Sequence, residues 1–146
     1  MVYISVIGGQ MTKKFILAAA VYSVITMALG MAWHFVFFKD LYERLGIYNR
    51  EKVIIPLGFA SMIIQGIVLA YFYPLFYRGG SPTGQGVKFG LITGVFLFSV
   101  TTLATAAKIQ VSSMTTWLLI QTAFHGIQFL LAGAGIGLVY GRLPRE

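Results

Sequence analysis

Four long stretches of the chain contain no charged residue, and they limit the fold more than any other feature of the sequence. They run from Phe15 to Phe38, from Val53 to Tyr77, from about Phe89 to Ala107 and from about Thr115 to Tyr140. A bilayer core about 30 Å thick is crossed by about 20 helical residues, so each stretch is long enough to span it. A water-soluble chain of 146 residues could not bury this much apolar surface.

The stretches predict helices because every backbone amide in hydrocarbon needs a partner. A closed barrel would show alternating strands of about ten residues, and these runs do not alternate. We therefore predict an all-α polytopic membrane protein, a four-transmembrane-helix bundle over residues 15–141, with an N-terminal extension (1–14) and a C-terminal tail (142–146). The sequence leaves open whether Met1 or Met11 is the start. A cleaved signal peptide is the alternative for the first stretch, whose apolar run continues beyond the usual length.

The composition narrows the function classes. Hydrophobic residues make up 58% of the chain and charged residues 10%, and there is no cysteine, which excludes disulfides and thiol chemistry. The net charge is +7, with all Lys and Arg in or beside the segments between apolar runs. This distribution predicts contact with membrane lipids and not with nucleic acid. We expect a multi-pass protein of the bacterial inner membrane with both termini cytoplasmic. Residues 39–52 fit either an amphipathic interfacial helix or a polar loop.

Glycines recur at four-residue spacing in two of the predicted helices. This spacing lets two helix backbones approach closely, within one chain or between chains. The predicted helix-packing residues are Gly86, Gly90 and Gly94 in the third stretch, and Gly133, Gly137 and Gly141 in the fourth. The spacing does not say whether the partner helix belongs to this chain, to a second copy or to another membrane subunit.

Each predicted helix also carries one polar stripe. Facing inward, these groups can hydrogen-bond to one another, whereas facing lipid they would remain partly unsatisfied. The candidate ligand or polar-interior residues are His34, Gln65, Gln121, His125 and Gln128. The same residues are also compatible with a purely structural role as hydrogen-bonded contacts between helices.

No arrangement of residues typical of catalysis or metal binding is visible. The four acids, Asp40, Glu43, Glu51 and Glu146, lie outside the apolar stretches, which argues against a carboxylate-driven pump. No metal-ligand motif occurs. We predict no enzyme activity and no cofactor, with haem between His34 and His125 as an alternative, although their predicted depths differ by roughly 9 Å.

Three motifs resemble a known family. They are Gly30-Met31-Ala32-Trp33-His34 followed by Phe37 and Leu41, the glycine-spaced third stretch running into Thr101-Thr102, and Trp117 at the start of the fourth stretch. Together they resemble small four-helix bacterial inner-membrane proteins labelled domain of unknown function 1761, over about residues 15 to 141. His34 stands where Tyr is expected after the Trp. The resemblance implies a four-helix fold and no specific activity.

These observations leave three functions open. The first is a non-enzymatic packing or accessory subunit that uses the glycine faces. The second is a small transporter or ligand-binding bundle whose site is lined by the polar-interior residues named above. The third is a haem or quinone carrier.

Overall fold

A computed structural model describes residues 2–48, 50 and 52–141, with side chains from residue 9 onward. The helices are α1 (Val2–Met31), α2 (Lys39–Arg44), α3 (Ile55–Phe76), α4 (Pro82–Phe98), α5 (Ala104–Ala106) and α6 (Met114–Tyr140). Two π-helical turns interrupt the order: π-turn 1 (Ala32–Phe37) continues α1, and π-turn 2 (Ser99–Leu103) joins α4 to α5.

Four helical segments are long and apolar enough to cross a membrane. They are Gly9–Phe37, Ile55–Phe76, Pro82–Ala106 and Met114–Tyr140. No strand occurs in the described part of the chain. The predicted all-α, four-span bundle is therefore confirmed, and the chain is a multi-pass membrane protein.

Two boundaries differ from those expected from hydropathy. The backbone of α1 is already helical at Val2, so no break separates residues 2–14 from the first span. The third span begins at Pro82, about two turns before the apolar run. Pro82 lacks the N–H that a first helical residue would leave unpaired, and the Ser81 hydroxyl accepts from the Gly84 N–H at 3.3 Å. The predicted tail, 142–146, lies outside the described residues.

The segment after π-turn 1 folds back onto the bundle. Lys39–Arg44 forms a short helix, and the side chains of Tyr42 and Leu45 are 1% and 2% exposed against Trp117. The Ser112 hydroxyl donates to the Arg44 carbonyl oxygen at 2.8 Å and fastens this segment to the connection before α6. The apolar side chains of Tyr42 and Leu45 therefore serve burial against α6.

The helices pack unequally along their length. α4 and α6 are in close antiparallel contact, and α1 packs against both α3 and α6. α3 and α4 meet near one end, where the Phe76 and Phe89 ring centroids are 5.3 Å apart. We call this the closed end and define it by Tyr73, Phe89 and Tyr140, whose rings are in contact.

The opposite end is defined by α2 and residues 53–64, and we call it the open end. All residues from 53 to 64 except Met62 are exposed, with Leu57 at 65%. On the facing helix, Phe96 is also 65% exposed. α3 and α4 therefore diverge from the closed end and leave a V-shaped cleft between them.

Candidate functional site

The predicted polar residues of α6 lie inside the bundle. Gln121, His125 and Gln128 are 7%, 9% and 5% exposed. The Gln128 amide donates to the Thr26 hydroxyl of α1 at 3.4 Å. Gln121 accepts a hydrogen bond from the Tyr42 hydroxyl, at 2.6 Å. The polar side chains of α6 therefore connect this helix to α1 and to α2.

His125 has both ring nitrogens within hydrogen-bond distance of a partner. Nδ1 lies 2.9 Å from the Gln121 carbonyl oxygen, which only accepts, so Nδ1 carries a proton. Nε2 lies 3.1 Å from the Thr101 hydroxyl, which is also 2.8 Å from the Leu97 carbonyl oxygen. Binding a metal at this imidazole would require one of these contacts to break.

His34 lies in the same layer of the bundle but has different surroundings. Its ring contacts Tyr42 edge-on, with centroids 4.6 Å apart, and Phe124 at 4.7 Å. Phe124 in turn contacts the His125 ring at 5.4 Å. The two histidines thus share one aromatic neighbour.

Gln65 is half-buried on α3 and belongs to a separate hydrogen-bonded group. Its amide oxygen accepts from the Tyr22 hydroxyl at 2.7 Å, and its NH₂ donates to Ser61 at 2.9 Å. The structure therefore brings four of the predicted residues, His34, Gln121, His125 and Gln128, along α6 and places Gln65 beside the cleft. Their role in binding a ligand stays a prediction.

Both π-helical turns lie at the open end around the α6 stripe. In π-turn 1 the Phe38 N–H bonds to the carbonyl of Trp33, and after π-turn 2 the Ala104 N–H bonds to that of Ser99, each five residues back. π-turn 1 carries His34, and π-turn 2 carries Thr101. Such turns are frequent at functional sites because the extra residue re-aims side chains. Hydropathy carries no signal for them, since their composition matches that of the flanking helix.

Among the residues that the structure describes, three buried donors have no hydrogen-bond partner: Trp33 Nε1, Thr102 Oγ1 and Trp117 Nε1. Such groups cost free energy unless a ligand, an ion or water satisfies them. Trp33 lies beside the Tyr42 hydroxyl, outside hydrogen-bond geometry. Burial raises the pKa of Tyr42, and the nearby Trp33 indole opposes this only in part, so Tyr42 stays protonated and donates to Gln121.

Sequence reasoning missed three hydrogen-bonding residues of these groups, Tyr22, Tyr42 and Thr101. Tyr22 and Tyr42 were counted among apolar or loop residues, yet their hydroxyls bond to predicted site glutamines. A weak signal was available for Tyr22, because Tyr22 and Thr26 are four residues apart and share a helix face. No signal in the sequence pointed to Tyr42, which lies outside the spans.

The predicted glycine contacts form within the chain. A Cβ added at Gly86 or Gly90 would collide with the α6 backbone at Gly133 or Phe129, and one at Gly137 would collide with Pro82. A Cβ at Gly94 would lie 2.9 Å from the Phe129 ring. Gly141 differs from the others: it follows the end of α6 with φ +62°, and a Cβ there would meet nothing within 4 Å, so this glycine makes no close contact within the described chain.

In the described part of the chain, no group of three or more His, Asp or Glu side chains is close enough to hold a metal ion. No protein-family model, curated protein or solved structure matches the sequence. The resemblance to the small four-helix family therefore stays a prediction.

Proposed function

We propose that this protein is a non-enzymatic membrane subunit that binds a transmembrane helix of another subunit, or of a second copy, in the cleft between α3 and α4. The observation that carries this proposal is the cleft itself, whose polar α3 wall lies within the hydrocarbon-spanning part of the chain. The glycine faces, which the sequence offered as the docking surface, are already filled by contacts between α4 and α6.

The α3 wall of the cleft is defined by helical spacing. At about 100° per residue, Ser61, Gln65 and Phe76 fall within about 60° of one another on the helix. Phe76 contacts Phe89 of α4 at the closed end, so this face of α3 points towards α4. Ser61 lies on the same face at the open end and is exposed.

The α4 wall follows from the same spacing. Phe96 lies seven residues after Phe89 and therefore on nearly the same face. Phe89 is 4% exposed because α3 covers it, whereas Phe96 is 65% exposed. This loss of cover within two turns supports a cleft that widens from the closed end towards the open end.

Hydrocarbon fills an apolar groove well but leaves a hydroxyl or amide without its full set of hydrogen bonds. The Ser61–Gln65 pair satisfies only part of its own capacity, because Ser61 accepts from Gln65 and also has a proton to donate. A partner helix with a backbone carbonyl or a polar side chain at this depth would complete the pair. Its apolar side chains would cover Phe96.

Single cysteines test this arrangement cleanly, because the chain contains no native cysteine. Ser61→Cys places a thiol in the cleft. Ile63→Cys is the matched control, two residues further along and about 200° around the helix, where Ile63 is 52% exposed. In native membranes, each thiol is labelled with benzophenone maleimide and irradiated, so that the partner needs no cysteine of its own, and we expect a higher-mass adduct from Ser61→Cys and not from Ile63→Cys. The adduct mass would distinguish a second copy from another subunit, and equal labelling of both variants would contradict the proposal.

The three unpartnered donors favour a second candidate function, the binding of a small hydrogen-bond acceptor at the open end. An acceptor that reached one or more of these donors would lower the free-energy cost of leaving them unpaired. Indole emission reports on such an event directly, since Trp33 and Trp117 are the two tryptophans of the chain. Purified protein should then show a saturable fluorescence change with membrane-extractable molecules. No change with a full lipid extract would count against this candidate.

A further inference from the structure

A second groove lies at the membrane boundary, outside the cleft between α3 and α4. It encloses about 250 Å³ and is lined by Ile47, Tyr48, Arg50, Val53, Ile54 and Leu57. α3 enters the membrane at Ile55, so the groove reaches from the first turn of a span into the connecting segment. Its position matches the depth at which lipid headgroups meet acyl chains.

The lining combines two chemistries. Four of its six residues are aliphatic, and Val53, Ile54 and Leu57 are at least 44% exposed. The cation is the guanidinium of Arg50, which matches phosphate oxygens with paired donors. Lys52 follows two residues later and is also exposed. Glu43 pairs with Lys39 at 3.7 Å, so this carboxylate has a partner outside the groove.

We infer that this groove binds one anionic phospholipid, with its phosphate on Arg50 and the upper part of an acyl chain along Val53, Ile54 and Leu57. A soluble phosphate would leave the aliphatic wall uncovered. A lipid with a zwitterionic headgroup would bring a second cation towards Arg50 and Lys52. Charge and apolar area together therefore select an anionic lipid.

Tyr48 links the groove to the polar layer at the open end. Its ring lies 5.9 Å from that of Tyr42 and stacks on Phe35 at 6.4 Å, and its hydroxyl is 3.5 Å from the His34 carbonyl oxygen. Burial raises the pKa of Tyr48, and the Glu43 carboxylate raises it further, so the hydroxyl stays protonated. A lipid seated against Tyr48 would hold π-turn 1 in place.

The test compares defined lipids on the purified, delipidated full chain in a non-ionic detergent. Phosphatidylglycerol, phosphatidylcholine and glycerol phosphate are titrated in turn, and binding is measured by native mass spectrometry and by the melting temperature. We expect phosphatidylglycerol to bind and to raise the melting temperature, with phosphatidylcholine bound about tenfold more weakly. Glycerol phosphate should have no effect.

Two variants test whether lipid binding depends on Arg50 in the groove or on surface charge in general. Arg50→Gln should weaken phosphatidylglycerol binding by about tenfold, and Lys108→Gln, on another connection at the same side, should leave it unchanged. Both side chains are exposed, so the unliganded melting temperatures should match that of the native chain. Equal binding of the two phospholipids, or equal loss in the two variants, would overturn the inference.

Discussion

The two ends of the bundle are held by different kinds of hydrogen bond. At the closed end, side chains donate to backbone carbonyls: Tyr140 to Ala70 at 2.7 Å, Tyr73 to Pro82 at 3.2 Å and Lys14 to Tyr140 at 2.6 Å. Towards the open end, three bonds join side chain to side chain, in the pairs Tyr42–Gln121, Tyr22–Gln65 and His125–Thr101. Two further bonds there, from Ser112 and Tyr48, reach the backbone carbonyls of Arg44 and His34. Carbonyls on helices have fixed positions, whereas side chains can rotate. The closed end is therefore built for a single packing, and the open end can rearrange.

Pro74 explains one of the closed-end contacts. A proline has no N–H, so the carbonyl four residues earlier, that of Ala70, loses its donor within α3. The Tyr140 hydroxyl of α6 supplies the missing bond. The hydrogen bond that α3 lacks is therefore supplied by α6, and this bond holds the two helices together at this depth.

The largest effect is expected at the α4–α6 contact, from which the closed end and the cleft both extend. Gly90→Ala would push a methyl group into the Phe129 carbonyl and bring it 3.0 Å from Gly133 Cα. Neither atom can move without shifting the α6 backbone, so we expect unfolding to be easier by about 3 kcal/mol. Unfolding of the purified protein in mixed micelles, followed by circular dichroism, measures this change.

Gly126→Ala is the matched control on α6. A Cβ at Gly126 meets nothing within 4 Å, so the alanine should be neutral or should stabilise the helix by up to about 1 kcal/mol. A loss of similar size in the two variants, or no loss in Gly90→Ala, would contradict the claim that the close approach of α4 and α6 at Gly90 sets the stability.

A smaller loss should follow from Tyr140→Phe, which leaves the Ala70 carbonyl without a donor in hydrocarbon. We expect a cost of about 2 kcal/mol in the same unfolding assay. Pro74→Ala restores an N–H to α3, so the double variant should recover much of this loss, with a coupling of about 1 kcal/mol or more. Strict additivity of the two substitutions would refute the link between Pro74 and Tyr140.

The four-span bundle could be predicted from the sequence, because a long charge-free run in lipid satisfies its backbone hydrogen bonds by forming a helix. The sequence also predicted residues such as Gly90 and Gly133 that allow close helix packing. It could not assign their partners, because glycine spacing is the same for contacts within and between chains. The π-turns at His34 and Thr101 were missed because an inserted residue changes geometry without changing hydropathy. Tyr42 was missed because a residue outside the spans enters the core only through tertiary contacts.

The smallest of these effects distinguishes the two ends most directly. Tyr42→Phe removes the bond to the Gln121 amide, just as Tyr140→Phe removes the bond to a carbonyl. Gln121 and the unpartnered Trp33 indole both lie beside the Tyr42 hydroxyl, so we expect Gln121 to turn towards the indole and the loss to be about 1 kcal/mol or less. Gln121→Leu in the Tyr42→Phe background removes both polar groups and should return stability close to that of the native chain. If Tyr42→Phe instead costs more than Tyr140→Phe, the open end is the more rigid of the two, and the division between them is wrong.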